Sequence, residues 1–537
     1  MTAHLAAGGR SRVSPFYALL PAAILLAPVL AFLAGSSYAL AAPEALFFAG
    51  GALLAGAAVG GLVVRATPVP RALLLAACLT LFVDVQLAPA RAWQLAAAAA
   101  GLALVLLLLR ENALPILSAG FGAFLAATLL VPPKAPLQSA SGADVGAREV
   151  REDLPPILVL VLDEHTGIEG LPLEVEGGAE ARSAVRDLYA RFGFRLYTRA
   201  YSQYAHTLDS LPNLFNFTAQ ATRRPFVEPV GRNYALRRNL FLARAAKSGY
   251  AIRLYEPDYL DYSGADGVRP EFRLQFKTAS IGSVQGQKLT WREKAAVIGN
   301  SLFARSLLRE GAERLLERLA RAGLPVPRAE AETGMLVGPY ESMAVLDRLQ
   351  RDVLAGSRGR LFFAHLMIPH FPYTYDAGCE VQTRTPPWAR SGAAQPSARE
   401  PAPGRETRRR ERYRRYFQQV RCLARRLGSF FEALDGAGAL EGAVVVVLGD
   451  HGSRANEPAP GPADLGKAPA RDFVDAFSAL FAVRGPGITP GLVETPRPLV
   501  QAFAEAVNPG GERPTTESLF LFGEDDGVGT AAPMPPF

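Results

Sequence analysis

The sequence predicts an α/β fold that follows a membrane domain of five helices, and the distribution of charge and apolar residues supports this. Only nine of the 107 charged residues (57 basic and 50 acidic) fall within residues 1–133 of the 537-residue chain. Five long apolar stretches lie in that part, whereas short β-type runs alternate with helical patterns in the rest. This contrast excludes a single soluble globule and a mostly disordered chain. The net charge of +7 is spread along the chain and does not indicate nucleic-acid binding.

Each apolar stretch is close to the length that a helix needs to cross a hydrocarbon core of about 30 Å. The stretches cover residues 15–33, 45–64, 72–90, 93–109 and 113–131. Basic residues concentrate in the breaks on one side of them, at Arg10, Arg12, Arg65, Arg71 and Arg110. The positive-inside rule therefore predicts a multi-pass protein of the inner (cytoplasmic) membrane with a cytoplasmic N-terminus. Five crossings then place the large domain in the periplasm or outside the cell.

Asp84 makes the third stretch the weakest of the five, because an acid inside a span is costly. We expect Asp84 to lie near a helix end and to reach the lipid headgroups; a functional role inside the membrane is the alternative. Without this span the number of crossings would be even, and the large domain would be cytoplasmic.

The rest of the chain divides into a connector and one large domain. Residues 134–155 are rich in Pro, Ala, Ser and charge, which is typical of an exposed connector. Residues 156–537 contain continuous apolar runs, as in strands covered on both faces, at 157–162, 361–367, 443–448 and 479–483. Helical patterns separate the runs, so we predict a central, mostly parallel sheet flanked by helices. Ligands bind beyond the carboxyl ends of such strands, which makes the residues after each run the site candidates.

Two pairs of potential metal ligands follow strand-like runs. Asp163 and Glu164 come directly after the first run, and Asp450 and His451 come one glycine after the run at 443–448. Carboxylate oxygens and an imidazole suit one divalent ion (Mn²⁺, Mg²⁺, Zn²⁺ or Ca²⁺) without selecting among them. Either pair alone is as well explained by a solvated loop. The two together, both after strands, predict a metal site.

Hydroxyl and imidazole side chains supply further candidates. Thr207 and Ser210 lie in the segment HTLDSLP, where a hydroxyl is a nucleophile if a metal lowers its pKa and a helix cap otherwise. His370 follows the run at 361–367, in a loop stiffened by aromatic residues and prolines. Its imidazole would hold a phosphoryl or sulfuryl oxygen or protonate a leaving group. We expect the other histidines near these segments to be structural or to support the residues of the site from behind: His165, His206 and His365.

In this order, the blocks resemble the sulfatase branch of the alkaline phosphatase superfamily. The resemblance runs from about 156 to 487 and rests on LVLVLDEHTG, FGFRLYTRAYSQYAHTLDSLPNLF, FFAHLMIPHFPY, VVVVLGDHGSR and ALFAVRGPGITPG. With five preceding spans, the chain is similar to membrane-anchored members such as lipoteichoic acid synthases and phosphoethanolamine transferases. The resemblance implies an alkaline-phosphatase/sulfatase-like fold for the large domain.

The resemblance also implies roles for individual residues. It implies Thr207 as the catalytic nucleophile, His370 as a catalytic residue and substrate contact, and Lys467 as a second substrate-binding residue. It implies one divalent metal ion held by Asp163, Glu164, Thr207, Asp450 and His451. No organic cofactor is evident.

The implied function is that of a metal-dependent phospho-group transferase or hydrolase. It would act on lipid or glycan esters of the cell envelope through a covalent threonine intermediate, with membrane lipids as its surroundings and no nucleic-acid partner. A sulfatase-type sulfuric ester hydrolase is one alternative, disfavoured because Ser210-Leu211-Pro212 lacks the Arg of the formylglycine motif. A catalytically inactive envelope scaffold is the other. The chain has no His after His451, which departs from the phosphoethanolamine transferases.

Two features of the large domain fit more than one role. The basic stretch at 405–426 is either a solvated helix face or a contact for anionic headgroups or glycans. An oxidising compartment would allow a disulfide between Cys379 and Cys422.

Overall fold

The fold is described from a computed structural model. It covers residues 14–36, 38–87, 91–130, 150–231, 233–264, 268–276, 281, 284–285, 289–303, 306–308, 311–312, 337–382, 402–456, 459–508, 510–511, 514–523 and 527–537. The chain divides into two compact units, one of which combines Met1–Pro136 with Val284–Met335. The other combines Leu137–Ser283 with Leu336–Phe537.

The first unit contains five helices that are long and apolar enough to cross a membrane, as predicted. They are α1 (Leu20–Gly35, preceded by a 3₁₀ helix at Pro15–Leu19), α2 (Pro43–Arg65), α3 (Pro68–Leu87), α4 (Ala92–Leu109) and α5 (Ala113–Leu130). The third stretch forms an unbroken helix of 20 residues despite its acid. A further helix of this unit, α9 (Trp291–Leu302), lies in a segment that the sequence analysis left in the large domain.

Asp84, close to the end of α3, is completely buried. Its carboxylate accepts hydrogen bonds from Ser306 Oγ at 2.5 Å and from the backbone nitrogens of Leu307 and Leu308 at 2.9 and 3.3 Å. The expectation that Asp84 reaches the headgroups is therefore wrong. A segment more than 200 residues later in the chain covers the carboxylate and supplies the partners that a buried charge requires.

The second unit is built on an eight-stranded sheet. The strands of this unit are β1 (Ile157–Leu162), β2 (Arg195–Tyr197), β3 (Ala200–Tyr201), β4 (Val227–Val230), β5 (Asn233–Leu236), β6 (Ala251–Pro257), β7 (Leu260–Asp261), β8 (Phe272–Phe276), β9 (Arg360–Leu366), β10 (Val444–Leu448), β11 (Phe481–Arg484), β12 (Gly491–Val493), β13 (Arg497–Pro498), β14 (Leu519–Leu521) and β15 (Thr530–Ala532). The order in the large sheet is β12-β2-β11-β10-β1-β9-β6-β8. Within it, β11 runs antiparallel to both of its neighbours, and the other described pairs are parallel.

The four apolar runs predicted as strands are β1, β9, β10 and β11, and the mostly parallel sheet is confirmed. Three of them, β9, β1 and β10, are neighbours at the centre of the sheet. Val161 of β1 pairs with His365 of β9 on one side and with Leu448 of β10 on the other. The carboxyl ends of these three strands are therefore level, and the residues that follow them meet at one edge.

Helices flank this sheet and bring the rest of the site to that edge. They are α6 (Gly178–Arg191), α7 (Thr207–Phe215), α8 (Leu240–Lys247), α10 (Val337–Ala355), α11 (Ala402–Gly436), α12 (Ala470–Phe477) and α13 (Leu499–Val507), with 3₁₀ helices at Ile168–Gly170 and Pro462–Asp464. Phe215, at the end of α7, packs its ring 5.3 Å from Phe363 of β9 and 5.8 Å from Phe503 of α13. This aromatic packing fixes α7 on the sheet and so positions its first residue, Thr207.

The basic stretch lies in α11 and is partly interior. The side chain of Arg409 is 6% exposed and pairs with Glu174 at 2.7 Å and with Glu406 at 3.2 Å. Arg415 pairs with Glu411 one turn earlier, at 2.9 Å. Several arginines of this stretch are thus held by acids of the same unit.

Candidate functional site

Two of the predicted pairs meet beyond the central strands. Asp163 and Glu164 directly follow β1, and Asp450 follows its parallel neighbour β10 by one residue. The backbone nitrogen of Glu164 donates a hydrogen bond to Asp450 Oδ1 at 3.0 Å. This bond joins the ends of the two strands. The three carboxylates of the predicted metal site, Asp163, Glu164 and Asp450, therefore lie at one edge of the sheet.

Glycines on both sides of Asp450 and His451 allow the chain to approach its neighbours closely. A Cβ on Gly449 would lie 2.0 Å from the carbonyl oxygen of His165, and one on Gly452 would lie 1.9 Å from that of Asp475. Distances this short exclude a side chain at either position. The glycines therefore fix the turn that presents Asp450 and His451.

Thr207 is the first residue of α7, and its hydroxyl points at this turn. Its Oγ1 donates a hydrogen bond to Asp450 Oδ2 at 2.6 Å and lies 3.3 Å from His451 Nε2. The other nitrogen of that ring, Nδ1, lies 2.9 Å from the carbonyl oxygen of Gly452. A hydrogen on Nδ1 leaves Nε2 with a lone pair facing Thr207. The amino end of a helix also favours negative charge, so an anion is stabilised beside Thr207.

Ser210, the other candidate hydroxyl, is engaged elsewhere. It is buried, donates a hydrogen bond to the backbone oxygen of Asp450 at 2.6 Å, and lies 2.9 Å from Ser202 Oγ. These contacts brace the Asp450 turn against α7. Ser210 therefore has a structural position, whereas the Thr207 hydroxyl faces Asp450 Oδ2 and His451 Nε2.

Asp163 forms a buried cluster with residues of β9 and the β6–β8 region. Its Oδ2 lies 3.0 Å from His365 Nε2, and Tyr262 OH lies 2.7 Å from His365 Nδ1. Its Oδ1 is buried and has no hydrogen-bond partner in the described part of the chain. Burial acts to raise the pKa of Asp163, but the imidazoles of His370 and His365 outweigh it and hold the pKa below its ordinary value. Asp163 therefore presents an ionised oxygen that is free to bind a cation.

Glu164 faces a different group from its neighbour. Its backbone has a positive φ of 62°, a conformation that is rare outside glycine, and the turn sends the two acidic side chains in different directions. The carboxylate accepts a hydrogen bond from Phe371 N at 3.1 Å and from Arg454 Nε at 3.1 Å. Burial acts to raise the Glu164 pKa, but the charges of His370 and Arg454 outweigh it and lower the pKa.

His370 lies in a loop that α11 holds in place. Gln419 of α11 donates hydrogen bonds to the backbone oxygens of Pro369 and His370 at 3.0 and 3.1 Å. A disulfide between Cys379 and Cys422 ties the following segment to the same helix. His370 Nε2 lies 3.5 Å from Glu164 Oε1. Burial acts to lower the pKa of His370, but the carboxylates of Glu164 and Asp163 outweigh it and raise the pKa.

The structure thus brings together most of the predicted site residues and adds two. His365 was expected to be structural or to support the site residues, and it contacts Asp163 Oδ2; its place inside an otherwise apolar strand was a signal for such a contact. Arg454, four residues after Asp450, had no signal beyond its closeness to the motif; it lies 3.2 Å from His206 Nδ1 and contacts Glu164. Lys467 is exposed, and no hydrogen bond between its side chain and the described site residues is seen, so its role stays a prediction.

Comparison with known proteins identifies the family to which the large domain belongs. Residues 156–480 match the family model described as Sulfatase, which is more than half of the chain. The chain belongs to the sulfatase family. The five candidate membrane spans of this sulfatase-family enzyme lie before the matched region, and the mostly parallel sheet lies in the unit that contains it.

Solved structures similar to this sulfatase-family chain include the zinc complex of the C-terminal periplasmic domain of EptC from Escherichia coli. That likeness has 12% identity and a TM-score of 0.39, and covers 71% of this chain and 94% of that one. The phosphonate monoester hydrolase of Agrobacterium radiobacter is similar at 15% identity and a TM-score of 0.37, covering 65% and 72%. A Bacteroides thetaiotaomicron chain, BT33494S-sulf, is similar at 14% identity and a TM-score of 0.36, covering 71% and 83%. No curated protein sequence matches the chain significantly.

The residues of this sulfatase-family site fit a divalent metal ion. One ligand atom each of Asp163, His365 and Asp450 lies within 4.8 Å of the others. Asp163 Oδ1 is buried without a hydrogen-bond partner among the described residues, as expected of an oxygen that binds a cation. His451 Nε2 lies 3.2 Å from Asp450 Oδ2, where it would supply a nitrogen ligand to such an ion. Oxygen-rich sets with one or two imidazoles suit Zn²⁺, Mn²⁺ and Mg²⁺ alike.

His165 makes the stability of this sulfatase-family domain dependent on pH. Its ring is 3% exposed, and burial lowers its pKa to about 4. Because an unfolded histidine has a pKa of about 6.5, the unfolded chain binds more protons between these values. Stability is therefore fully present above pH 6.5 and falls toward pH 4, by roughly 3 kcal/mol from this residue.

The measurement is the thermal unfolding midpoint of the detergent-solubilised protein between about pH 5 and about pH 7.5. His165→Gln keeps a donor for the Thr166 carbonyl, which lies 2.9 Å from His165 Nδ1, and removes the titration. We expect a flatter pH dependence in this variant. Parallel curves for the two proteins would contradict the assignment.

Proposed function

We propose that this protein is a membrane-anchored enzyme that cleaves phosphodiesters of the cell envelope and transfers the phospho group through Thr207. The observation that carries the proposal is the hydrogen bond of 2.6 Å from Thr207 Oγ1 to Asp450 Oδ2 at the amino end of α7. A hydroxyl at that point is poised beside the carboxylates and next to a helix end that favours an anionic phosphoryl group.

The proposed metal ligands are those of the sequence prediction. Asp163, Asp450, His451 and Thr207 would hold one divalent ion, and Glu164 remains a candidate ligand although Arg454 and Phe371 N bind its carboxylate here. His365 would either join these ligands or orient Asp163 through its contact of 3.0 Å. When bound, such an ion lowers the pKa of a hydroxyl and neutralises charge on a phosphoryl oxygen.

The chemistry assigned to the chain is a double displacement. Thr207 Oγ1 attacks the phosphorus as the bond to the leaving alcohol breaks, and its proton passes along the hydrogen bond to Asp450. His370 gives the departing alcohol a proton. Water or a second alcohol then gives a proton to His370 and attacks the phosphothreonine. Thr207 leaves with the proton from Asp450, which restores the site.

Arg454 would bind a non-bridging oxygen of the substrate. Its side chain is 27% exposed, and its guanidinium lies between Glu164 and His206, the residue before Thr207. Guanidinium groups suit phosphate geometry because they donate two parallel hydrogen bonds. The proposed substrates are phospholipids or phosphorylated envelope glycans, reached by an N-terminus-in topology with the catalytic unit on the outer side of the inner membrane.

The test is to trap the covalent intermediate. Purified full-length protein, loaded with Zn²⁺ or Mn²⁺, is mixed with bis(para-nitrophenyl) phosphate, quenched in acid, digested and weighed by mass spectrometry. We expect a nitrophenyl phosphate adduct on the peptide that contains Thr207, and none in Thr207→Ala. Turnover with no adduct, or an adduct on another residue, would contradict the mechanism.

The same preparation separates the alternatives. Turnover of para-nitrophenyl sulfate instead of the phosphodiester would favour a sulfuric ester hydrolase. The engagement of Ser210 with the Asp450 backbone already disfavours a serine-derived formylglycine at that position. No bound metal and no turnover of either ester would favour an inactive scaffold.

A further inference from the structure

A segment inserted into the large domain belongs to the membrane unit. We call residues 284–285, 289–303 and 306–308 the α9 insert; they group with α1 to α5 in the compact unit that includes Val284–Met335. In the sequence they fall between β8 and β9 of the catalytic sheet. The insert therefore leaves the catalytic unit and packs among the candidate spans.

Three separate contacts fix the α9 insert on the helices. Gln285 Oε1 accepts a hydrogen bond from Ala39 N at 3.1 Å, in the link between α1 and α2. The ring of Trp291 lies 5.9 Å from that of Phe47 in the second turn of α2. A Cβ on Gly299 would lie 2.9 Å from Phe48, so α9 approaches α2 closely there.

A fourth contact joins Ser306 of the insert to Asp84, which lies close to the end of α3. Consecutive spans alternate in direction, so the end of α1, the start of α2 and the end of α3 lie on one side of the membrane. The end of α5, after which the chain enters the catalytic unit, lies on the same side for a chain with five crossings. The contacts named for the described part of the insert therefore fall on the side of the membrane at which α5 ends.

The depth of the insert follows from the length of α2. Its 23 residues span about 34 Å, slightly more than a hydrocarbon core of about 30 Å. Phe47 lies four residues from the start, about 6 Å along the axis, and thus near the boundary between acyl chains and headgroups. Trp291, in contact with Phe47, lies at that boundary.

The exposed and buried faces of α9 fit this depth. Val297, Ile298 and Leu302 are buried, and α9 packs on α2. Trp291 remains 45% exposed beside Phe47, which is 57% exposed on the lipid-facing side of α2. The guanidinium of Arg292 lies 5.6 Å from the Trp291 ring. Tryptophan with an adjacent cation is typical of the bilayer interface, where the ring meets acyl chains and the charge meets headgroups.

We propose that the α9 insert is a membrane-interface element whose partner is the phospholipid bilayer, with Trp291 at the headgroup level and Asp84 holding the insert on the spans. This proposal does not depend on the proposed reaction. It assigns to one part of the catalytic polypeptide the task of contacting the leaflet on the outer face.

Tryptophan fluorescence in full-length protein tests the depth of Trp291. The chain has three tryptophans, so Trp93→Tyr together with Trp388→Phe leaves Trp291 as the single emitter. The protein is placed in nanodiscs of phosphatidylcholine that is unbrominated, brominated near the glycerol end, or brominated near the bilayer centre. We expect the shallow bromines to lower emission by about half and the deep bromines to lower it less. Quenching by aqueous iodide with no effect of bromolipids would overturn the proposal.

Three further proteins make the result interpretable. A single-Trp93 protein is the lipid-contact control, because Trp93 is 63% exposed in the first turn of α4. Asp84→Leu removes all three acceptor contacts with Ser306, Leu307 and Leu308, whereas Asp84→Asn keeps one acceptor oxygen. We expect iodide quenching of Trp291 to rise about twofold in Asp84→Leu and less in Asp84→Asn. Equal quenching in both would overturn the role of Asp84; if Asp84→Leu does not fold, the bromolipid comparison decides the proposal.

Discussion

Replacing Thr207 with alanine is expected to lower kcat for a phosphodiester substrate by roughly three orders of magnitude or more. The variant keeps Asp163, Asp450 and His451, so it retains the other groups proposed to bind the metal. It loses the oxygen that lies 2.6 Å from Asp450 Oδ2, which is the atom proposed to form the bond to phosphorus. The measurement is steady-state turnover of bis(para-nitrophenyl) phosphate, with metal content determined on the same samples.

Two matched variants separate a missing nucleophile from a disturbed helix. Thr207→Ser keeps a hydroxyl at the same place, and we expect it to retain adduct formation. Ser210→Ala removes the neighbouring hydroxyl that braces the Asp450 turn, and we expect a loss of less than about tenfold. Comparable losses in Thr207→Ala and Ser210→Ala would assign the effect to the turn and not to a nucleophile.

Replacing Asp450 with asparagine is expected to release the metal as well as to stop turnover. Asp450 accepts hydrogen bonds from Thr207 Oγ1 and from Glu164 N through its two oxygens. The amide removes a negative charge at the centre of the proposed ligand set, so metal affinity should fall by more than the roughly 10- to 100-fold typical of an outer-shell partner. Dialysis against graded free Zn²⁺, followed by metal analysis, measures this directly.

Asp209→Asn is the matched control for a buried acid outside the ligand set. Asp209 is buried, lies two residues after Thr207, and accepts a hydrogen bond from Arg224 N at 2.8 Å through Oδ1. Burial raises its pKa, so a neutral side chain is tolerated there more readily. We expect this variant to bind metal like the parent protein. Retention of metal in Asp450→Asn would remove Asp450 from the site.

The sequence predicted the elements whose signals are local. The apolar run predicted at residues 157–162 has the same bounds as β1. The acids after it lie beside Asp450 because parallel strands end at one edge of the sheet. The spans were predictable for the same reason, since length and hydropathy alone define them. Thr207 and His370 were candidates from their own segments, and the order of blocks in a known family supplied their implied roles.

Features that depend on contacts distant in sequence were not predictable. Asp84 is satisfied by residues 306–308, and nothing near position 84 specifies that pairing. The Glu164 side chain points away from that of Asp163 because of its positive φ, which a β-strand pattern does not encode. Arg454 lies at the site because its guanidinium donates a hydrogen bond to the carboxylate of Glu164, 290 residues earlier in the chain. Such pairings arise only when the strands have assembled.

The division into units has a practical consequence for protein production. The chain passes between the two compact units three times, after Pro136, after Ser283 and after Met335. One proteolytic cut in the connector therefore breaks the covalent link to the five apolar helices but leaves Val284–Met335 attached to the catalytic unit. A truncated protein that begins at the connector would carry α9 without its partners and expose Val297, Ile298 and Leu302 to water. A soluble catalytic fragment requires a second excision that removes the insert and rejoins Ser283 to Leu336.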